Sequence, residues 1–237
     1  MPAAHLADIL QQLDNAASAA NRPRPRLLAV SKTQAATAVA ELAVAGQRAF
    51  GENYVQEAAA KQAELAAHPL LRENGVLPAE LEWHLIGHLQ SNKAREAAQL
   101  FDWVQTLDRA KLVAALAAHR RADRAPLNVL VQVNIDDEAS KHGCAPDEVA
   151  ALAAAIAAQS RLCLRGLMVI PTPHADIELR RPAFRRAREL FDALRREHTQ
   201  VDTLSMGMSD DADIAIAEGA TMVRIGTALF GARSGKA

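Results

Sequence analysis

Cysteine is scarce. Cys144 and Cys163 are the only two in 237 residues, and neither belongs to a C-x-x-C motif. That excludes a disulfide scaffold and a cysteine-rich zinc module, and makes a reducing cytoplasm the simplest setting. Aromatic residues amount to 3%, with a single tyrosine, so platforms for stacking bases are few. Neither sign of charge dominates: 27 lysines and arginines meet 28 aspartates and glutamates, for a net charge of -1. The balance argues against a nucleic-acid binder held by a broad basic surface, while leaving room for a small basic pocket. No apolar run reaches the roughly 18 residues of a membrane span. The opening MPAAHLADILQQLDNAA lacks the basic-then-apolar pattern of a secretory leader.

What the chain does have is alanine, 52 residues of it, and alternation. Short runs rich in Val, Ile and Leu stand at 26–31, 49–50, 83–87, 102–106, 128–134, 163–170, 203–206 and 222–226. Between them lie helical stretches at about 35–45, 53–67, 91–99, 108–122, 146–159, 178–198 and 209–218. Such alternation predicts parallel βαβ units. Eight strands with a helix in each gap predict a single α/β domain over 1–237, a (β/α)8 TIM barrel at about 26–233 with an extra N-terminal helix at about 5–20. An open doubly wound sheet is the second reading, but no G-x-G-x-x-G follows the first strand. Pro69, Gly75 and Pro78 predict a long surface loop over 68–80. Ser209 with Asp210 and Asp211 predicts a cap and acidic first turn for a helix that Gly219 ends.

Alternation of side chains along a strand sets Leu28, Val30 and Lys32 on one face. If Leu28 and Val30 face the barrel interior, Lys32 points the same way at the carboxyl end of the strand, where barrels carry their active sites. A partly desolvated lysine loses its proton more readily, and a neutral amine attacks aldehydes. The plain alternative is a surface lysine reaching water. At the other end of the chain, Ser205 and the run Arg224-Ile225-Gly226-Thr227 stand where barrels hold phosphate, after strands seven and eight. Lysine plus phosphate cradle points to pyridoxal phosphate, or to a phosphorylated aldehyde in a cofactor-free, Schiff-base aldolase-like barrel.

Seven blocks then carry a resemblance: LLAVSKT at 27–33, FGENYVQE at 50–57, EWHLIGHLQSNK at 82–93, NVLVQVNI at 128–135, LRGLMVIP at 164–171, LSMGMSDD at 204–211 and MVRIGTALFGAR at 222–233. Together they resemble the pyridoxal phosphate homeostasis proteins (the YggS/PROSC family), single-domain relatives of the alanine racemase N-terminal barrel. The resemblance implies a protein that binds pyridoxal phosphate as a Schiff base on Lys32 and releases it or hands it on, with cofactor-dependent apo-enzymes as recipients. It implies that Ser205, Gly226 and Thr227 hold the phosphate, that Arg224 lies near the pyridine nitrogen, and that Asn53 lines the mouth. A permanently charged arginine there keeps the ring nitrogen unprotonated and the ring a poor electron sink.

Racemases of this fold use a second base from a C-terminal β-domain. With the sequence ending at Ala237, no such domain is expected, so a monomeric, cytoplasmic, non-catalytic carrier leads over a weak racemase. Tyr54 is expected at the rim. Lys141, in Asp136–Gly143, is a further candidate for transient receipt of the cofactor. His84 and His88 form H-x3-H, but a strand and Gly87 separate them from helical metal-site geometry, so no metal is expected. Arg180, Arg181, Arg185, Arg186 and Arg188 are expected to form a solvated helix face.

Overall fold

The computed structural model describes residues 2–138 and 141–231; Ala139 and Ser140, and residues 232 and 233 of the expected barrel, lie outside them. Eight parallel strands close into a barrel in sequence order. They are β1 (Arg26–Val30), β2 (Ala49–Glu52), β3 (Glu82–Leu85), β4 (Trp103–Leu107), β5 (Leu127–Val133), β6 (Leu162–Val169), β7 (Thr203–Ser205) and β8 (Met222–Ile225). β1 closes against β8, with Leu28 opposite Arg224 and Ala29 opposite Ile225. Among the described residues ten α-helices accompany the strands: α1 (Pro2–Ala19), α2 (Ala36–Val44), α3 (Val55–Leu65), α4 (Pro69–Glu73), α5 (Ala94–Leu100), α6 (Ala110–His119), α7 (Val149–Ala157), α8 (Arg181–Glu197), α9 (Ala212–Ala217) and α10 (Thr227–Phe230). Among the described residues no helix is long and apolar enough to cross a membrane.

The expected barrel and leading helix are present. Strands in such a barrel are buried on both faces, which is why they stand out as continuous apolar runs. Alanine gives the helices intrinsic propensity and lets them approach the sheet closely. In α8 the inward stripe is Ala183, Phe184, Ala187, Phe191 and Leu194, at helical spacing. The large core lies between strands and helices. Two small clusters fill the barrel itself: Leu28, Ala49 and Met222 with Ile86, and Trp103 with Leu130 and Met168.

Two local expectations are corrected. The 68–80 segment is not a plain loop. Pro69 starts α4, where its missing N–H costs nothing, and Leu71 is buried beneath it. Ser209 does not cap the next helix. Asp211 stands at the N-cap position without a side-chain capping bond; its carboxylate accepts from the preceding Met208 N–H at 2.7 Å and pairs with Arg180 at 2.6 Å, both largely buried. The arginine face of α8 is solvated at Arg185 and Arg186, which are exposed, while also making ion pairs: Arg181 and Arg185 reach Glu218, and Arg186 reaches Asp136.

Gly219 ends α9 as expected, with φ at +96°. An L-residue at that angle is strained, so Gly219→Ala should lose about 1–2 kcal/mol of stability. A thermal melt reads this as a drop of several degrees.

Candidate functional site

Lys32 lies half-buried in the turn directly after β1, at the carboxyl mouth. Leu28 faces the barrel interior beside Met222, so the expected alternation holds up to the end of the strand. The turn itself is clamped by α3. Lys61 Nζ donates to the Ser31 carbonyl at 2.7 Å, and Glu57 accepts from the Thr33 N–H. Lys61 is 5% exposed and pairs at 2.5 Å with Glu52, which is fully buried at the end of β2. Ser31 Oγ donates to the same carboxylate oxygen at 2.6 Å. Burial pushes the Glu52 carboxyl above its ordinary value, against the pull of Lys61. This ion pair escapes the motif reading, although a signal exists: Lys61 falls on the buried stripe Val55, Ala58, Leu65 of α3. A lysine at such a position needs a partner.

Across the barrel seam, β8 ends beside β1. A Cβ at Gly226 would come within 3.3 Å of both Cβ and O of Val30, so the glycine permits the close approach that sets Thr227 near the Lys32 turn. Thr227 is exposed and opens α10, whose first N–H groups point out of the helix start. Asn53 follows β2, half-buried, with its backbone packed against Gly87. A cavity of about 360 Å³ adjoins Asn53 and the exposed Tyr54 on that side.

Arg224 and Ser205 lie deeper. Arg224 is 4% exposed and Ser205 is fully buried. The Ser205 hydroxyl lies against Arg224 and Gln105. Arg224 Nη1 donates to Ser205 Oγ at 2.8 Å, and Nη2 donates to the Val169 carbonyl at 3.0 Å. Ser205 Oγ donates to Gln105 Oε1 at 2.7 Å. Gln105 Nε2 reaches His84 Nδ1 at 2.9 Å, and His84 Nε2 meets Glu82 Oε1. Glu82 also pairs with Arg26 at 2.8 Å on the barrel floor.

Every hydrogen in this chain runs one way. Arg224 is a donor only, so Ser205 must accept from it and donate onward to the Gln105 carbonyl. The Gln105 amide then donates to Nδ1, which leaves the His84 proton on Nε2 facing a carboxylate. Burial drives the His84 pKa down, with Glu82 pulling the other way, so the imidazole is the neutral Nε2–H form. Against the upward push of burial, His84 and Arg26 bring Glu82 down to about 2. Burial likewise lowers Arg224, to about 10, which leaves it cationic at neutral pH. Among the described residues no carboxylate lies within ion-pair distance of its guanidinium. A buried cation with only neutral partners below it can take one more acceptor from the mouth.

The remaining candidates separate. Lys141 is half-buried, with Nζ 3.0 Å from Thr172 Oγ1 and 3.1 Å from Glu138 Oε2. Met208 is exposed at the rim. His84 sits inside the barrel and His88 outside on the rim, so the H-x3-H pair does not converge.

The family model described as alanine racemase, N-terminal domain, matches residues 4–234. The chain is 51% identical over 233 residues to the pyridoxal phosphate homeostasis protein of Pseudomonas aeruginosa, covering 98% of this chain and 95% of that one. Its identity to the protein of the same name from Escherichia coli is 48% over 231 residues, covering 97% and 95%. Among solved structures it matches PipY of Synechococcus elongatus with pyridoxal phosphate bound, at a TM-score of 0.81 and 36% identity over 98% of this chain and 100% of that one. An alanine racemase from Corynebacterium glutamicum shares the barrel at a TM-score of 0.62 and 19% identity, over 89% of this chain and 57% of that one.

Proposed function

This chain belongs to the pyridoxal phosphate homeostasis protein family, whose barrel is the alanine racemase N-terminal domain, and on that basis we propose that it binds pyridoxal phosphate, holds it on Lys32 and gives it up again. The observation that carries the reading is the juxtaposition at the β1–β8 seam. Supporting it, the turn that carries Lys32 and the Gly226–Thr227 helix start follow paired strands from opposite ends of the sequence, and the Arg224 guanidinium is buried there with no carboxylate at ion-pair distance among the described residues.

When bound, pyridoxal phosphate supplies an aldehyde carbon that amines attack reversibly. Lys32 Nζ is the attacking amine. Lys61 and Glu57 fix the backbone on either side of it, so the side chain starts from one place. Gly226 and Thr227 offer backbone and hydroxyl donors to the phosphate. Asn53 lines the opposite side of the mouth. Arg224 donates to the pyridine nitrogen and, being cationic, disfavours a proton there. Ser205 acts through Arg224. With its own hydrogen committed to Gln105, its oxygen is the acceptor that fixes the guanidinium. His84, Gln105 and Glu82 anchor that oxygen in turn.

The reading is of a carrier rather than a racemase. Racemisation needs acid–base groups on both faces of a substrate carbon. Tyr54 is 64% exposed, and His84 is buried and occupied on both nitrogens. Neither is placed to supply the second group. A monomer that passes the cofactor to apo-enzymes in the cytoplasm is the simplest use of such a site. Incubating the loaded protein with each amino acid in deuterated water is the test. No α-deuteration above the rate of free cofactor is expected, and rapid deuteration with inversion would establish a racemase instead.

A further inference from the structure

The geometry points to a divalent transition-metal site on the barrel rim, formed by His88, Asp108 and His142. These residues come from the turns after three successive strands, β3, β4 and β5. One ligand atom from each lies within 4.8 Å of the other two. Two imidazoles and one carboxylate form a borderline donor set that suits Zn(II) and its first-row neighbours, and three protein ligands leave a position open for water.

The three are mounted on fixed backbone. Gly87 is pressed against Asn53, where a Cβ would stand 2.2 Å from the carbonyl oxygen. Its own carbonyl accepts from Thr106 Oγ1 at 2.8 Å. That seats His88. On the other side, Gly143 has φ at +122° and lies against Asn134, while Cys144 pairs with Val133 as an isolated bridge. Gln132 Nε2 donates to the His142 carbonyl at 3.2 Å. Between them Asp108 is held by one oxygen. Oδ1 takes Arg109 Nη1 at 2.5 Å, and Arg109 is tied in turn to the Leu89 carbonyl at 2.9 Å. Hydrogen bonding of a ligating carboxylate by such a neighbour is the usual second layer of a metal site.

The contacts among the three are not those of a finished hydrogen-bonded group. Asp108 Oδ2 faces His88 Nδ1 at 3.7 Å, beyond hydrogen-bond length. The two imidazoles stack with centroids 3.8 Å apart and planes 17° from parallel. Two donor atoms on one tetrahedral zinc stand about 3.3 Å apart. The exposed rings therefore turn out of the stack to present their edges, while the backbone stays in place. An ion bound there ties three rim turns together, beside Asn53 and next in sequence to Lys141.

Titration of Zn(II), and separately of Co(II), into the purified protein free of added cofactor tests this by calorimetry and by the visible absorption of Co(II). The expected result is one ion per chain, with affinity reduced at least about tenfold in His88→Ala and in His142→Ala, and abolished in the double variant. Both side chains are exposed, so the variants should melt as the parent does without metal. Failure of the parent to bind one equivalent, or unchanged binding by the double variant, would overturn the proposal. Neither outcome bears on Lys32.

Discussion

Lys61→Met should destabilise the protein by about 3–5 kcal/mol, because it leaves Glu52 charged, buried and unpaired. For a domain of this size that is a drop in melting temperature on the order of 10 °C. Both groups are essentially out of water, Lys61 at 5% and Glu52 at 0% exposure, so solvent cannot replace the lost partner. Glu52 Oε2 already lacks a hydrogen-bond partner, so the carboxylate has little in reserve. The sign of the pH dependence follows. Removing the lysine raises the folded-state pKa of Glu52 further above its unfolded value. The penalty is then complete above that raised pKa and absent below the unfolded pKa near 4.5. Stability of Lys61→Met relative to the parent should therefore recover as the pH falls. The double variant Lys61→Met/Glu52→Gln should recover much of it at neutral pH. A Lys61→Met protein that melts with the parent at pH 7 would mean that the ion pair carries no such weight.

The second large effect concerns Arg224. Arg224→Gln should weaken pyridoxal phosphate binding about 10- to 100-fold, the usual worth of a hydrogen bond made by a charged donor. Equilibrium dialysis measures this directly. Ser205→Ala keeps the guanidinium but removes the acceptor that fixes it, so its loss should be smaller. If Ser205 held the phosphate itself, the ranking would reverse, with Ser205→Ala the more damaging change. That comparison separates a positioning role from direct contact.

The barrel is legible in the sequence because strands buried on both faces are largely apolar, and eight such runs alternate with helical stretches. The inward aim of Arg224 is legible for a related reason: a strand's two-residue period carries the orientation of Met222 along β8, and the same period is what places Lys32 beyond the end of Leu28's face. The same period sets His84 and Gln105 toward the interior, but nothing local says that they join. Gln105 and Ser205 are 100 residues apart and meet only when the barrel closes. Ser205 is expected at the phosphate from its position along the chain; that its hydroxyl also bonds Gln105 and Arg224 is not legible there. The clamp on the Lys32 turn is missed for a similar reason, since Glu52 reads as the polar end of a short strand and Lys61 as a helix-surface charge. Likewise α4 is only five residues long, too short for periodicity to show, and its proline reads equally well as a loop signal. The rim histidines, 54 positions apart, are brought together by the register of three neighbouring strands.

The most direct measurement is borohydride reduction of the protein loaded with pyridoxal phosphate, followed by peptide mapping of the labelled lysine. The account predicts one label per chain, on Lys32, and none at comparable yield in Lys32→Ala. Stoichiometric label on another lysine, or label undiminished in Lys32→Ala, would contradict it.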